Sequence, residues 1–180
     1  EIVHGLLRDG HVDFEGRFYS ARECELKPRG PRAGGPPILI GSIGPRMLKL
    51  VAKYADQWNA YYDDTKNSVA GAVRLRGMVD AACEEVGRDP ASLERTITML
   101  VADSDADPWW TRLPSDDAPH HARAEDNVTL MPFTGTPEDL AAELAAYGRE
   151  GVGHIQICLE PTTTETIAAL APALEMLRGS

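Results

Sequence analysis

Pro36-Pro37-Ile38-Leu39-Ile40-Gly41-Ser42-Ile43-Gly44-Pro45-Arg46 is the stretch whose reading decides the fold. An apolar run bounded by prolines reads as a buried strand. It breaks into a tight turn of small residues, and Pro45 opens an amphipathic helix at the one position where its missing N–H costs nothing. Small residues between a strand and a helix N-terminus let backbone N–H groups face an anion, and the helix dipole adds about half a positive charge there. The loop is therefore a candidate phosphate site. Its pattern is neither a Walker A loop nor a G-x-G-x-x-G fingerprint. On the loop alone, an ordinary strand-to-helix turn and a phosphate site both stand.

Outward from the loop, strand and helix patterns alternate. Ile2–Leu7 reads as the tail of a helix stopped near Gly10, and Val12–Phe14 with Arg17–Tyr19 as a short hairpin around Glu15-Gly16. The helix opened by Pro45 carries Met47, Leu48, Val51, Tyr54 and Ala55 on its apolar side, with Arg46, Lys49 and Lys53 outward. Gln57–Tyr61 is the next strand. Asp64 or Thr65 caps a long helix whose apolar stripe is Val69, Val73, Val79, Ala82 and Val86, and Gly87 ends it. Arg95–Ala102 is a third strand, rich in β-branched residues. Residues 103–130 lack a clear period, hold Trp109-Trp110 and His120-His121, and read as an insertion or lid. Thr136-Pro137-Glu138-Asp139 starts a helix with a capping hydroxyl, a first-turn proline and acids facing the dipole. His154–Leu159 is the last strand, and Thr162 with Glu165 caps a final helix that Pro172 kinks or restarts. Repeated strand–helix order with helix-length connections predicts an α/β fold with a parallel sheet and right-handed crossovers.

The matching text extends well beyond the loop. F-E-G-R-F-Y (Phe14–Tyr19), L-K-P-R (Leu26–Arg29) and P-P-I-L-I-G-S-I-G-P-R-M-L-K-L-V-A-K-Y-A-D-Q-W-N (Pro36–Asn59) occur in order, followed by F-T-G-T-P-E-D-L-A-A-E-L (Phe133–Leu144) and G-V-G-H-I-Q-I (Gly151–Ile157). In this ordered set the chain resembles the bacterial-luciferase-like superfamily of flavin- and F420-dependent oxidoreductases. The resemblance implies the C-terminal half of a (β/α)8 TIM barrel, with a parallel sheet, a hairpin near the N-terminus and an insertion after the third strand. It implies F420 or FMN as cofactor, its phosphate held at Gly41, Ser42, Ile43, Gly44, Pro45 and Arg46. Ser42 departs from the second glycine usual there, which matters if that residue needs φ > 0. The function implied is the C-terminal part of a luciferase-like oxidoreductase or monooxygenase acting on a small-molecule substrate. The alternative is a non-catalytic luciferase-like partner subunit or a truncated flavin-binding protein. No catalytic residue is assigned, because the family's proton-transfer groups come from earlier strands.

Length and charge narrow the classes. The 180 residues fall short of the about 250 usual for a complete barrel. The chain starts at Glu1 without a methionine, so the expectation is one luciferase-like domain over residues 1–180, incomplete at its N-terminus. Residues 1–35 form its hairpin and loop, 36–102 and 131–180 its barrel units, and 103–130 its insertion. Open sheet edges then predict a homo-oligomer or association with a missing N-terminal half. A net charge of −10 argues against nucleic acid. No apolar run is long enough to span a bilayer. Cys24, Cys83 and Cys158 lack a C-x-x-C pair and read as reduced packing thiols of a cytoplasmic protein.

Strand ends name the remaining candidates, since a β/α barrel works at the C-terminal end of its strands. Asn59 reads first as a turn cap and second as a ring or substrate contact; Tyr61 and Tyr62 as rim packing or as stacking groups. Asp103 and Glu160 are the carboxylates at strand ends. His154 sits at the opposite, stability end of its strand. His120-His121 lack zinc-ligand spacing, and no metal is expected.

Overall fold

A computed structural model describes residues 1–102 and 132–179. In chain order its elements are α1 (Ile2–Asp9), β1 (His11–Glu15), β2 (Ser20–Glu25), β3 (Leu39–Gly41), α2 (Pro45–Tyr54), β4 (Gln57–Ala60), α3 (Tyr62–Thr65), α4 (Val69–Glu85), β5 (Glu94–Ala102), α5 (Pro137–Arg149), β6 (His154–Glu160), α6 (Thr164–Ala169) and α7 (Ala171–Gly179). Strands β3, β4, β5 and β6 lie side by side in sequence order, every neighbouring pair parallel. Each crossover carries a helix, so the α/β fold with a parallel sheet is as the alternating pattern requires. The insertion expected at 103–130, with Asp103, Trp109, Trp110, His120 and His121, lies outside the described residues.

Strand alternation divides the sheet into two unlike faces. Ile40, Trp58, Ala60, Ile97, Met99, Ile155 and Ile157 point to one side, where Leu48 and Val51 of α2, Leu75 and Val79 of α4, Leu140, Leu144 and Tyr147 of α5 and Ala173 of α7 close the core. The other face is more polar: Gly41, Gln57, Asn59, Thr96, Thr98, Gln156 and Cys158 follow one another there by the same alternation.

Several local expectations change once long-range contacts are visible. The long helix begins neither at Asp64 nor at Thr65. A single turn, α3, ends at Lys66 and Asn67, both left-handed (φ 55° and 49°), and Ser68 caps α4 by accepting the Gly71 N–H at 3.2 Å. Asn67 forces this break. Its carboxamide accepts the Leu100 N–H at 2.9 Å and donates to the Leu100 carbonyl at 2.8 Å, in the manner of a neighbouring strand. The α4 stripe shifts accordingly to Ala72, Leu75, Val79, Ala82 and Cys83, and Val86 is exposed. On α2 the buried residues are Leu48, Val51 and Ala52, while Met47 faces solvent. The hairpin turns through four residues, 16–19, leaving Phe18 and Tyr19 in the loop, with a bulge between Val12 and Phe14. The cap of α6 is Thr163 with Thr166, one residue beyond the Thr162–Glu165 pair, and Pro172 marks a fresh start at α7.

The start of β3 is pinned from outside the sheet. Asp56 accepts the Ile38 N–H at 2.6 Å and pairs with Arg8 of α1. Partial burial works against the Asp56 charge, but the Ile38 N–H, then Arg8, then Arg88 outweigh it and hold the carboxyl below its ordinary 3.8. A depressed folded-state pKa gives stability that is present above the unfolded value and lost as pH falls through the folded one. Asp56→Asn is therefore expected to lower the urea midpoint at pH 7, with the gap from the unaltered protein closing once the pH drops well below 3.8. A gap that persists unchanged in acid would show that the charge contributes nothing.

Candidate functional site

The loop after β3 stands at the C-terminal edge of the parallel sheet, as a strand-to-helix connection must. Gly44 is the N-cap of α2 in extended conformation (φ −71°, ψ 139°), Pro45 is the first helical residue, and the Leu48 N–H closes the first turn on the Gly44 carbonyl at 2.9 Å. One buried side chain orients the bend. Trp58, 2% exposed in β4, donates its indole N–H to the Ser42 carbonyl at 2.8 Å. A trans peptide is planar, with its C=O and N–H opposed. Turning the Ser42 carbonyl towards Trp58 thus turns the Ile43 N–H the other way.

Among the described residues, the N–H groups of Ile43 and Gly44 donate to no protein acceptor, while the parallel pairing of Gly41 with Asn59 aims the Ser42 N–H at the Asn59 carbonyl. The first amides of α2 add to this set, since a helix N-terminus leaves them without intrahelical partners. Space is also available: a Cβ built on Gly44 would meet nothing within 4 Å. Ser42 is not among the residues with positive φ, so the serine stands there without backbone strain and keeps its N–H. Arg46 lies exposed on the first turn. A phosphate monoester fits these groups, and the structure brings all six loop residues, Gly41 to Arg46, to one strand end.

The other candidates sort differently. Asn59 caps no turn. It lies within β4 on the polar sheet face, where its carboxamide donates to Thr98 Oγ1 at 3.1 Å and accepts from Thr96 Oγ1 at 2.9 Å. Tyr61 is 40% exposed and donates its hydroxyl to that of buried Tyr62 at 2.7 Å, the rings 4.0 Å apart. Burial first, then the Tyr61 hydroxyl, push the Tyr62 phenol far above its ordinary range, so it stays protonated. Burial likewise raises the Cys158 thiol, which makes it a poor thiolate nucleophile at neutral pH. Glu160 ends β6 and His154 begins it. No group of three His, Cys, Asp or Glu among the described residues could hold a metal ion. No helix among them is long and apolar enough to cross a membrane.

A cleft of about 510 Å³ opens at the same end of the sheet, between Val101, Leu159, Phe133 and the first turn of α5. It does not reach the Gly41–Gly44 loop, and its Asp139 carboxylate is engaged by the Thr136 capping box. Trp58, Thr96 and Thr98 escaped the sequence reading. The signal for the threonines was their period of two with Asn59's face; nothing local marks the indole as the loop's anchor.

Comparisons with known proteins agree on one family. A family model described as luciferase-like monooxygenase matches residues 1–113. Pyrimidine monooxygenase RutA of Allorhizobium ampelinum is 29% identical over 103 residues, 57% of this chain and 27% of that protein. A phthiodiolone/phenolphthiodiolone dimycocerosates ketoreductase of a Mycobacterium species is 29% identical over 90 residues, 50% of this chain and 23% of that protein. Among solved structures, EDTA monooxygenase from a Chelativorans species superposes with a TM-score of 0.71 at 13% identity, over 99% of this chain and 57% of that one. An F420-dependent secondary alcohol dehydrogenase gives 0.67 at 16%, over 96% and 58%. The matched stretch is about a quarter of the curated relatives' length, and the chain spans just over half of the solved TIM-barrel enzymes.

If Trp58 anchors the loop, Trp58→Phe, which keeps an aromatic ring but loses the N–H, should cost about 1 kcal/mol or more of stability. It should also loosen the backbone of residues 42–44, read as lower NMR order parameters there. Unchanged order parameters in a folded variant would refute the anchor.

Proposed function

The chain belongs to the luciferase-like monooxygenase family, and on that premise we propose that it supplies the cofactor-phosphate part of a flavin- or F420-dependent oxidoreductase or monooxygenase. The observation that carries this is the pair of undonated N–H groups at Ile43 and Gly44 beside the N-terminus of α2.

The roles of the chain's own residues follow from that set. Ile43 and Gly44 hold the phosphate by backbone N–H, which is independent of pH and survives a net charge of −10 elsewhere. Gly41 and Gly44 keep side chains out of the approach, Pro45 fixes the helix start, and Arg46 adds a positive charge at the rim. Fixing the phosphate fixes the distance of everything attached to it from the sheet mouth. The cofactor, when bound, supplies hydride or oxygen-activating chemistry; the protein positions it and excludes water. Its partner is a small-molecule substrate.

Gly44→Val fills the open approach to the loop with a branched side chain. In the full natural polypeptide that carries this chain, fluorescence titration is expected to show affinity for FMN or F420 falling about tenfold or more, with the melting temperature nearly unchanged. Undiminished affinity would remove the loop from the site. Failure of the unaltered protein to bind either at high micromolar concentration would instead favour a non-catalytic luciferase-like partner subunit.

A further inference from the structure

Asn59, Thr96 and Thr98 make a polar row in a place where valine and leucine would pack as well. Thr96 is fully buried and Thr98 is 5% exposed. Thr96 Oγ1 donates to Asn59 Oδ1 at 2.9 Å and also lies 3.3 Å from the Trp58 carbonyl; Asn59 Nδ2 donates to Thr98 Oγ1 at 3.1 Å. Two hydroxyls on two levels of β5 thus hold one carboxamide in one orientation. An asparagine has two N–H donors and two carbonyl lone pairs. With one of each used by the threonines, one N–H and one lone pair remain on this carboxamide.

What those atoms face is set by register. Asn59 is paired with Gly41, the last residue of β3, and adjacent parallel strands lie about 4.8 Å apart. Gly41 has no side chain, and a Cβ placed on it would come within 3.5 Å of the Asn59 carbonyl and 3.9 Å of its Cβ. The space over Gly41 is therefore bordered by Asn59 on one side and begins two residues before the Ile43 and Gly44 amides. A group joined to a phosphate at those amides and running back over Gly41 would meet the carboxamide. A donor and an acceptor held together suit vicinal hydroxyls, each of which can both give and take a hydrogen bond.

We infer that Asn59, locked by Thr96 and Thr98 beside Gly41, binds the hydroxylated carbon chain attached to the ligand phosphate. Such a polyol chain is common to FMN and F420, so the assignment does not depend on which is used. It rests on the phosphate reading of the loop. Thr98 is a positioning residue, acting through Asn59.

The test compares a polyol phosphate with a bare one. In the full natural polypeptide, calorimetric titrations use FMN or F420, whichever the unaltered protein binds, and inorganic phosphate. Asn59→Ala should weaken the cofactor about tenfold and Thr98→Val about threefold, while the phosphate affinity stays within about twofold. Asn59→Gln keeps the carboxamide but displaces it, and should show the same selective loss if the alanine variant is too unstable to titrate. Equal losses for both ligands, or no loss for the cofactor, would overturn the inference and leave the loop standing. Retained cofactor affinity in Gly44→Val would fell the loop reading and, with it, this inference, whatever the Asn59 variants show. An unaltered protein that binds neither cofactor overturns both.

Discussion

One hydrogen bond governs the functional end of this molecule: the indole N–H of Trp58 on the Ser42 carbonyl. It costs the loop its freedom to flip the 42–43 peptide. Because that peptide is planar and trans, it also commits the Ile43 N–H to the side facing away from the core. The anchor is reliable because Trp58 is itself immobile, packed between β3, β5 and the helices of the core face. The parallel sheet supplies the rest. Its strands all finish at the same edge, so the polar face, the loop amides and the Tyr61–Tyr62 pair meet there without any one segment having to bend out of its way.

The two sheet faces explain how stability and function are kept apart. Aliphatic side chains and the Trp58 ring serve the helix-covered face, where burial of apolar area stabilises the fold. The opposite face carries Asn59, Thr96 and Thr98, whose amide and hydroxyl groups pair with one another, and Gln57, which donates to Glu94. A chain spanning about half of its structural neighbours therefore still holds a continuous helix-side core, while its polar face is the side on which a closed barrel would place its interior.

Much of this was legible in the residues. Proline, glycine and apolar runs placed β3, the Gly44-Pro45 helix start and the Thr136 capping box, because each of these is a local signal; β3 is nonetheless an outer strand with Leu39 43% exposed, not the buried one its apolar run suggests. The misreadings share one cause. Asn67 looks like any loop asparagine until its carboxamide is seen on both backbone groups of Leu100, 33 residues away. The same holds for Asn59, read as a turn cap because its threonine partners are on another strand. Trp58 as the anchor of Ser42 was equally out of reach, since the pairing exists only once β3 and β4 lie side by side. Sequence patterns report what a residue does to its own segment; these three act across segments.

The measurement that bears most directly on the account follows the backbone amides themselves. In a nitrogen-edited NMR titration of the natural polypeptide with FMN or F420, the account predicts that the resonances of Ile43 and Gly44 move downfield together, as expected of N–H groups newly bonded to phosphate oxygen. Saturable binding that leaves those two resonances in place while others move would contradict it.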